Sequence, residues 1–282
     1  MYKIVKKTVL NPTVTQMEIE APLVAKKAKP GQFIILRVNA EGERIPLTVA
    51  GCDEKNGTVK IIFQVVGATT ELLNHKEEGE YIEDFVGPLG VATETEGIKK
   101  VCIIGGGVGC AIAMPVAEAF HKLGAEVTSI IGFRNKDLVI LEKEFDEYSD
   151  RMVLMTDDGS YGRHGNVTVP LKEMLEAGET FDRIITIGPL IMMKFVVATA
   201  KPFGIPVTVS MNPIMIDGTG MCGGCRLTLN QDGKRITKFA CVDGPDFNGY
   251  EVDFDEAMSR GRMYFDAERK AHEETCNLFK MA

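Results

Sequence analysis

The sequence predicts a β plus α/β protein: an antiparallel β-barrel, then a doubly wound parallel α/β domain, then a small C-terminal segment that gathers cysteines. Three observations carry this expectation. In the first hundred residues, short strand-like segments are separated by turn signals such as Asn11-Pro12, Pro30-Gly31 and Lys55-Asn56-Gly57. From residue 98, strand and helix patterns alternate, opening on the turn Gly105-Gly106-Gly107-Val108-Gly109. Beyond Ser210, three cysteines and one aspartate crowd into residues 217–241. The expected domains are 1–97, 98–210 and 211–282.

Within the barrel the pattern predicts strands over 3–10, 13–19, 32–38, 45–50, 58–65 and 81–85, with one short helix at 69–73. Two polar clusters stand out. Arg44-Ile45-Pro46-Leu47-Thr48 puts a cation and a hydroxyl at the ends of a stiff apolar strand. Gly67-Ala68-Thr69-Thr70 opens the short helix with free N–H groups, which favour anions such as a diphosphate that Arg44 could share. Each cluster alone reads equally well as an ordinary edge strand or an ordinary helix cap.

In the second domain, Val101-Cys102-Ile103-Ile104 reads as a buried strand and residues 110–120 as a helix. The glycine turn between them is a nucleotide diphosphate cradle at Gly105, Gly107, Val108 and Gly109. Glycine admits phosphate close to the backbone, and the helix dipole favours its charge. Pro115 should delay the helix start or bend it. Alternation then continues through 126–132, 138–148, 152–156, 169–176, 183–187, 191–202 and 207–210. Ligands of such sheets sit at the carboxyl ends of the strands. That rule marks Arg134, the pair Asp157 and Asp158 for ribose hydroxyls, and Gly188-Pro189 near a nicotinamide. No basic cluster follows Gly132 to hold a 2′-phosphate, which favours NAD(H) over NADP(H).

Cys222-Gly223-Gly224-Cys225 places two thiols where a tight glycine turn lets both reach one centre. Cys241 approaches across a hairpin built from 226–229 and 236–239, and Asp217 lies within wrapping distance along Gly218 and Gly220. Spacing alone leaves open an iron–sulfur centre, a zinc site or merely packed cysteines. Short helices are expected at 255–258 and 265–279.

Composition narrows the partners. With 45% hydrophobic and 26% charged residues the chain is an ordinary globular protein, and a net charge of −8 without a basic cluster argues against nucleic acid. The N-terminus lacks the form of a signal peptide and no apolar run reaches membrane-spanning length, so a cytoplasmic protein without a membrane partner is expected. The scattered cysteines 52, 102, 110 and 276 suggest reduced thiols, not a disulfide framework.

Taken in order, Pro30-Gly31-Gln32-Phe33, Arg44-x-Pro-Leu-Thr48, Gly67-x-Thr-Thr70, Gly87-Pro88-Leu89-Gly90 and the glycine turn resemble the ferredoxin–NADP reductase superfamily. The resemblance implies FAD, with Arg44 on its diphosphate, Gly67, Thr69 and Thr70 on its phosphates, and Thr48 as the catalytic group at the flavin edge. Pro46 and Leu47 stand where that superfamily usually has an aromatic residue, so the group that packs on the ring is a departure from its pattern.

Residues 156–162 and Cys241-x-Asp-Gly-Pro245 resemble the electron-transfer subunit of dihydroorotate dehydrogenase, whose cluster usually has four cysteines. Asp217 occupies the first of those positions. Together with Met221-Cys222-Gly223-Gly224-Cys225-Arg226, it resembles the small subunit of NADH-dependent reduced ferredoxin:NADP+ oxidoreductase, also described as a sulfide dehydrogenase subunit. That resemblance implies a [2Fe-2S] cluster on Asp217, Cys222, Cys225 and Cys241. It also implies an oxidoreductase subunit that exchanges hydride between NAD(H) and FAD, a heterodimer with a larger flavin and iron–sulfur subunit, access to ferredoxin through the complex, and electron bifurcation. Two alternatives remain: a dihydroorotate dehydrogenase electron-transfer subunit, and a nucleotide-sensing regulatory module carrying zinc.

Overall fold

The computed structural model describes residues 1–263 together with 267, 269 and 270. The helix expected over 265–279, and Cys276, fall almost wholly outside the described residues.

The N-terminal sheet has seven antiparallel strands: β1 (Tyr2–Asn11), β2 (Val14–Glu20), β3 (Phe33–Arg37), β4 (Arg44–Asp53), β5 (Thr58–Gln64), β6 (Tyr81–Ile82) and β7 (Asp84–Leu89). Their order is β6-β1-β2-β5-β4-β3-β7. Only Glu83 separates the two edge strands in sequence, so the sheet's edges are drawn together into a nearly closed barrel. One strand expected at 81–85 is thus two, broken where the chain passes from one edge to the other. Helix α1 (Pro22–Ala25), which the alternation pattern did not suggest, starts on a proline suited to a first helical turn. Helix α2 (Ala68–Asn74) is the expected short helix. Ile19, Ile34, Leu36, Ile61, Phe63 and Phe85 fill the barrel at 0–2% exposure, each alternating with an outward neighbour as the pleat requires.

The second sheet comprises β8 (Lys100–Gly106), β9 (Glu126–Phe133), β10 (Arg151–Thr156), β11 (Arg163–His164), β12 (Arg183–Ile187), β13 (Val207–Ser210) and, beyond the hairpin, β16 (Asp246–Asn248). Its order is β11-β10-β9-β8-β12-β13-β16, parallel except for the last pair. Helices α3 (Cys110–Lys122) and α4 (Glu142–Glu147) cover one face, and α5 (Thr168–Glu176) and α6 (Leu190–Ala200) the other. This is the doubly wound arrangement expected. The helix foreseen over 138–148 is shorter, because a left-handed residue, Leu141, precedes α4. Helix α3 does not start late: it begins at Cys110, and Pro115 lies inside it with its apolar ring in the core. The lost hydrogen bond is offset by complete burial of the neighbouring Val116 and Ala117.

The C-terminal segment forms the hairpin β14 (Arg226–Gln231) and β15 (Lys234–Phe239), then α7 (Ala240–Asp243), β16 and α8 (Phe254–Gly261). The hairpin turns on Asp232 and Gly233, both at positive φ, a two-residue turn matched to strand twist. Because β16 completes the second sheet, this segment is knitted into the nucleotide domain. No helix among the described residues is long and apolar enough to cross a membrane.

Candidate functional site

A cavity of about 680 Å3 lies at the carboxyl ends of the second sheet, closed on its far side by the barrel. Gly107, Val108, Gly109, Arg134, Asp157, Gly188 and Pro189 line it, as the strand-end rule expects. Gly105 sits below the wall in β8, packed on Cys110. Asp158 is not on the wall; the Ser160 hydroxyl, and next the Ser160 N–H donating to it at 2.9 Å, hold its carboxyl below the usual carboxylate range. Of the two aspartates, only Asp157 lines the cavity.

Two glycines show why the turn needs this composition. A Cβ at Gly109 would strike the carbonyl oxygen of Ile187 and come within 2.8 Å of the Gly188 Cα, whereas Gly107 opens onto free space at φ +55°. The first lets two loops close; the second leaves room for phosphate. Sequence reasoning missed several wall residues. Ser210 ends β13 and Asn212 follows it, and the strand-end rule applied there would have found them. Asn11, Thr13 and Gln64 come from the barrel, and no local signal marks them.

The expected flavin residues gather elsewhere on the barrel. Thr48 pairs with Phe33, Leu47 with Ile34, and Pro46 with Ile35 across β3 and β4. Arg44 starts the same strand, half exposed, with one guanidinium nitrogen 3.5 Å from Asp84, which Arg37 also binds at 2.7 Å. Most of its five donors stay available. Thr69 donates to Glu43 at 3.3 Å, so the start of α2 and the start of β4 are neighbours. Gly67 faces open space there. The Thr70 hydroxyl is engaged inside the turn: it accepts the N–H groups of Val66 and Gly67 and donates to the Gly67 carbonyl at 2.9 Å. Arg44, Gly67 and Thr69 thus gather at one corner beside Glu43 and Asp84, and Thr70 shapes it.

The cysteine loop divides its donors into two pairs. Cys225 and Cys241 are 1% exposed, with their sulfurs 3.2 Å apart. Burial, and next the Cys225 thiol, push the Cys241 thiol up to about 12, while the Gly220 N–H pulls the other way. Cys222 is exposed, and its N–H donates at 2.9 Å to Asp217, which also accepts from Thr219 and Met221. These bonds, that of Thr219 foremost, hold Asp217 below the usual carboxylate range. Among the described residues no three Cys, His, Asp or Glu side chains close around one point, as a single zinc ion requires. A buried thiol pair with an outer thiol and carboxylate suits a cluster whose two irons take separate ligands. The residues present fit that group. With Asp217→Cys, the absorbance and potential of such a cluster should shift while iron content is kept; full iron with an unchanged spectrum and potential would exclude position 217 as a ligand.

The loop lies on the barrel. A Cβ at Gly218 would come within 2.6 Å of Leu89 and 2.9 Å of Ile35. Phe33, Ile35, Cys225 and Cys241 share one apolar core with the second sheet.

Barrel, nucleotide sheet and cysteine loop together define an iron–sulfur flavoprotein reductase of ferredoxin reductase-like fold. Residues 212–253 match the iron-sulfur cluster binding domain of dihydroorotate dehydrogenase B. The chain is 45% identical to a homolog of the dihydroorotate dehydrogenase B (NAD(+)) electron transfer subunit from Thermotoga maritima, over 96% of this chain and 94% of that one. It is 30% identical to that subunit from Streptococcus pneumoniae, over 87% and 97%. A chain from the solved structure of an NADH-dependent reduced ferredoxin-NADP oxidoreductase, presented as an insight into flavin-based electron bifurcation, superposes with a TM-score of 0.90 at 41% identity, covering 97% of each. The chain belongs to the family of dihydroorotate dehydrogenase B electron transfer subunits, and it is an oxidoreductase subunit.

Proposed function

We propose that this chain is the small subunit of an NADH-dependent reduced ferredoxin:NADP+ oxidoreductase, paired with a larger flavin and iron–sulfur subunit that reaches ferredoxin and supports electron bifurcation. When bound, FAD takes the two electrons of a hydride from NADH and releases them singly, and a [2Fe-2S] cluster carries them one at a time.

The chain's residues supply position and electrostatics. Gly107, Val108 and Gly109 present N–H groups to a diphosphate at the start of α3, Asp157 accepts ribose hydroxyls, and Gly188-Pro189 borders the nicotinamide end. Arg44, Gly67 and Thr69 would hold the FAD diphosphate, and the Thr48 hydroxyl would hydrogen-bond the ring. The buried Cys225 and Cys241 and the exposed Cys222 and Asp217 would hold the cluster. One observation supports this reading above the others: Phe33, the strand partner of Thr48, is buried in the same apolar cluster as Cys225 and Cys241. Two redox groups bound at these places would be joined through buried apolar side chains.

Asp217, standing where the dihydroorotate dehydrogenase subunit usually has cysteine, favours the ferredoxin-linked assembly. Affinity purification from native cells should therefore recover a larger flavin and iron–sulfur protein; recovery of a dihydroorotate-oxidising partner would replace this assignment. Thr48→Val should slow flavin reduction by NADH roughly fivefold, the worth of about one hydrogen bond, while FAD stays bound. An unchanged rate in stopped flow would remove Thr48 from the ring edge.

A further inference from the structure

Asp246, at the start of β16, is a half-buried residue with a carboxyl oxygen shut off from solvent, an acid that neither the nucleotide site nor the cysteine loop uses. The Thr93 hydroxyl donates to its Oδ2 at 2.6 Å, and its Oδ1 is buried without a hydrogen-bond partner. In the sheet Asp246 pairs with Ser210, which lines the nucleotide cavity. Thr93 belongs to the link between the two domains, and its own N–H donates to the Pro30 carbonyl at 3.0 Å, just before β3. Beside it the Val91 N–H donates to the Gly244 carbonyl at 2.7 Å, and Gly90 packs so closely that a Cβ would lie 2.8 Å from Phe33 and 2.9 Å from the Gly244 oxygen. Barrel, interdomain link, cysteine segment and sheet edge therefore meet at one carboxyl group.

We propose that Asp246 is a positioning residue that, through Thr93, locks the barrel against the edge of the nucleotide-binding sheet and so fixes the barrel's seat on the cysteine loop. Its bearing on electron transfer rests on the function proposed above; its locking role does not.

The chemistry of the junction makes the lock sensitive to proton activity. Burial raises the Asp246 carboxyl above the usual range, against the smaller opposing pull of the Thr93 and Ser210 hydroxyls. A neutral carboxyl tolerates an unpartnered buried oxygen far better than a carboxylate does. The charged groups on the elements packed around it have partners of their own or lie on the surface. Glu94 pairs with Arg183 at 3.7 Å, Asp243 with Lys238 at 2.9 Å, and Lys29 is exposed. None of them is among the causes of the shift.

The sign of the linkage follows. The folded chain keeps the proton over a range in which the unfolded chain has lost it, so unfolding releases a proton there and rising pH favours unfolding. Wild-type thermal midpoints, relative to Asp246→Asn, should fall by roughly 3 °C or more as pH rises from the ordinary aspartate range through the raised native value, then level off. Asp246→Asn, which has the same shape and cannot ionise, should lack this component. Thr93→Val removes the lock and keeps the acid. In the FAD- and cluster-loaded protein it should leave flavin reduction by NADH unchanged and slow the following absorbance change of the cluster at least about threefold. An Asp246→Asn profile parallel to wild type would overturn the proposal, as would a Thr93→Val protein with wild-type cluster reduction. Should Asp246→Asn fail to fold, Thr93→Val decides alone. Should the protein hold no cluster, the functional reading fails and the midpoint comparison still decides the role of Asp246.

Discussion

Cys225→Ser is expected to strip the protein of iron while leaving FAD bound. Cys225 is one of the two core-facing thiols, 1% exposed and 3.2 Å from Cys241. Its removal leaves a buried thiol facing a hydroxyl in an apolar core, with no solvent to complete a coordination shell. Serine is a harder and much less acidic ligand than cysteine, and it holds iron poorly at neutral pH. Iron and acid-labile sulfide should fall from about two of each per chain to a small residue, and the cluster absorbance should vanish from beneath the flavin bands. The exposed Cys222, replaced in the same way, should give the same loss with less damage to the fold. Retention of iron by Cys225→Ser would show that the buried pair is a packing feature and not a ligand pair.

Gly109→Ala should cripple the nucleotide site. The added methyl has nowhere to go: it meets backbone, the Ile187 carbonyl and the Gly188 Cα, and not the end of a flexible side chain. The glycine turn and the Gly188-Pro189 loop must then separate, at a cost of about 1–3 kcal/mol in overpacking. Since 1.4 kcal/mol is a factor of ten in binding, NADH affinity should weaken about tenfold or more. FAD content should hardly change, because Arg44, Gly67 and Thr69 lie on the barrel. Calorimetric titration with NADH checks the first expectation and the flavin spectrum the second. Wild-type NADH affinity in Gly109→Ala would move the nucleotide away from this turn.

Much of the fold was legible because its signals are local. Alternation gave the barrel strands, βα punctuation gave the doubly wound sheet, and alternation over 226–229 and 236–239 gave the hairpin, whose turn is tighter than that pattern implied. What escaped depends on distant contacts. The break at Glu83 follows from closing a barrel, and β16 is a three-residue edge strand that exists because β13 offers it a partner. Pro115 misled local reasoning, because complete burial around it outweighs one missing hydrogen bond. The site divides in the same way. Gly107, Gly109, Asp157 and Gly188 line one cavity as strand-end chemistry suggests, whereas Asn11, Thr13 and Gln64 reach it only because the barrel docks there. Thr70, which its motif marks as a phosphate ligand, has a hydroxyl bonded within the turn that opens α2, a contact no motif specifies. The meeting of Phe33 with Cys225 and Cys241 spans about two hundred residues and has no counterpart in any local pattern.

Anaerobic reductive titration of the purified chain with NADH, followed by absorbance and by low-temperature electron paramagnetic resonance, tests the central claim most directly. The account predicts bleaching of the flavin bands together with the rhombic or axial signal of a reduced two-iron cluster, both in the isolated chain. A protein whose flavin bleaches while an intact cluster in the same chain stays oxidised, even under a large excess of NADH with NAD+ continuously removed, would contradict it.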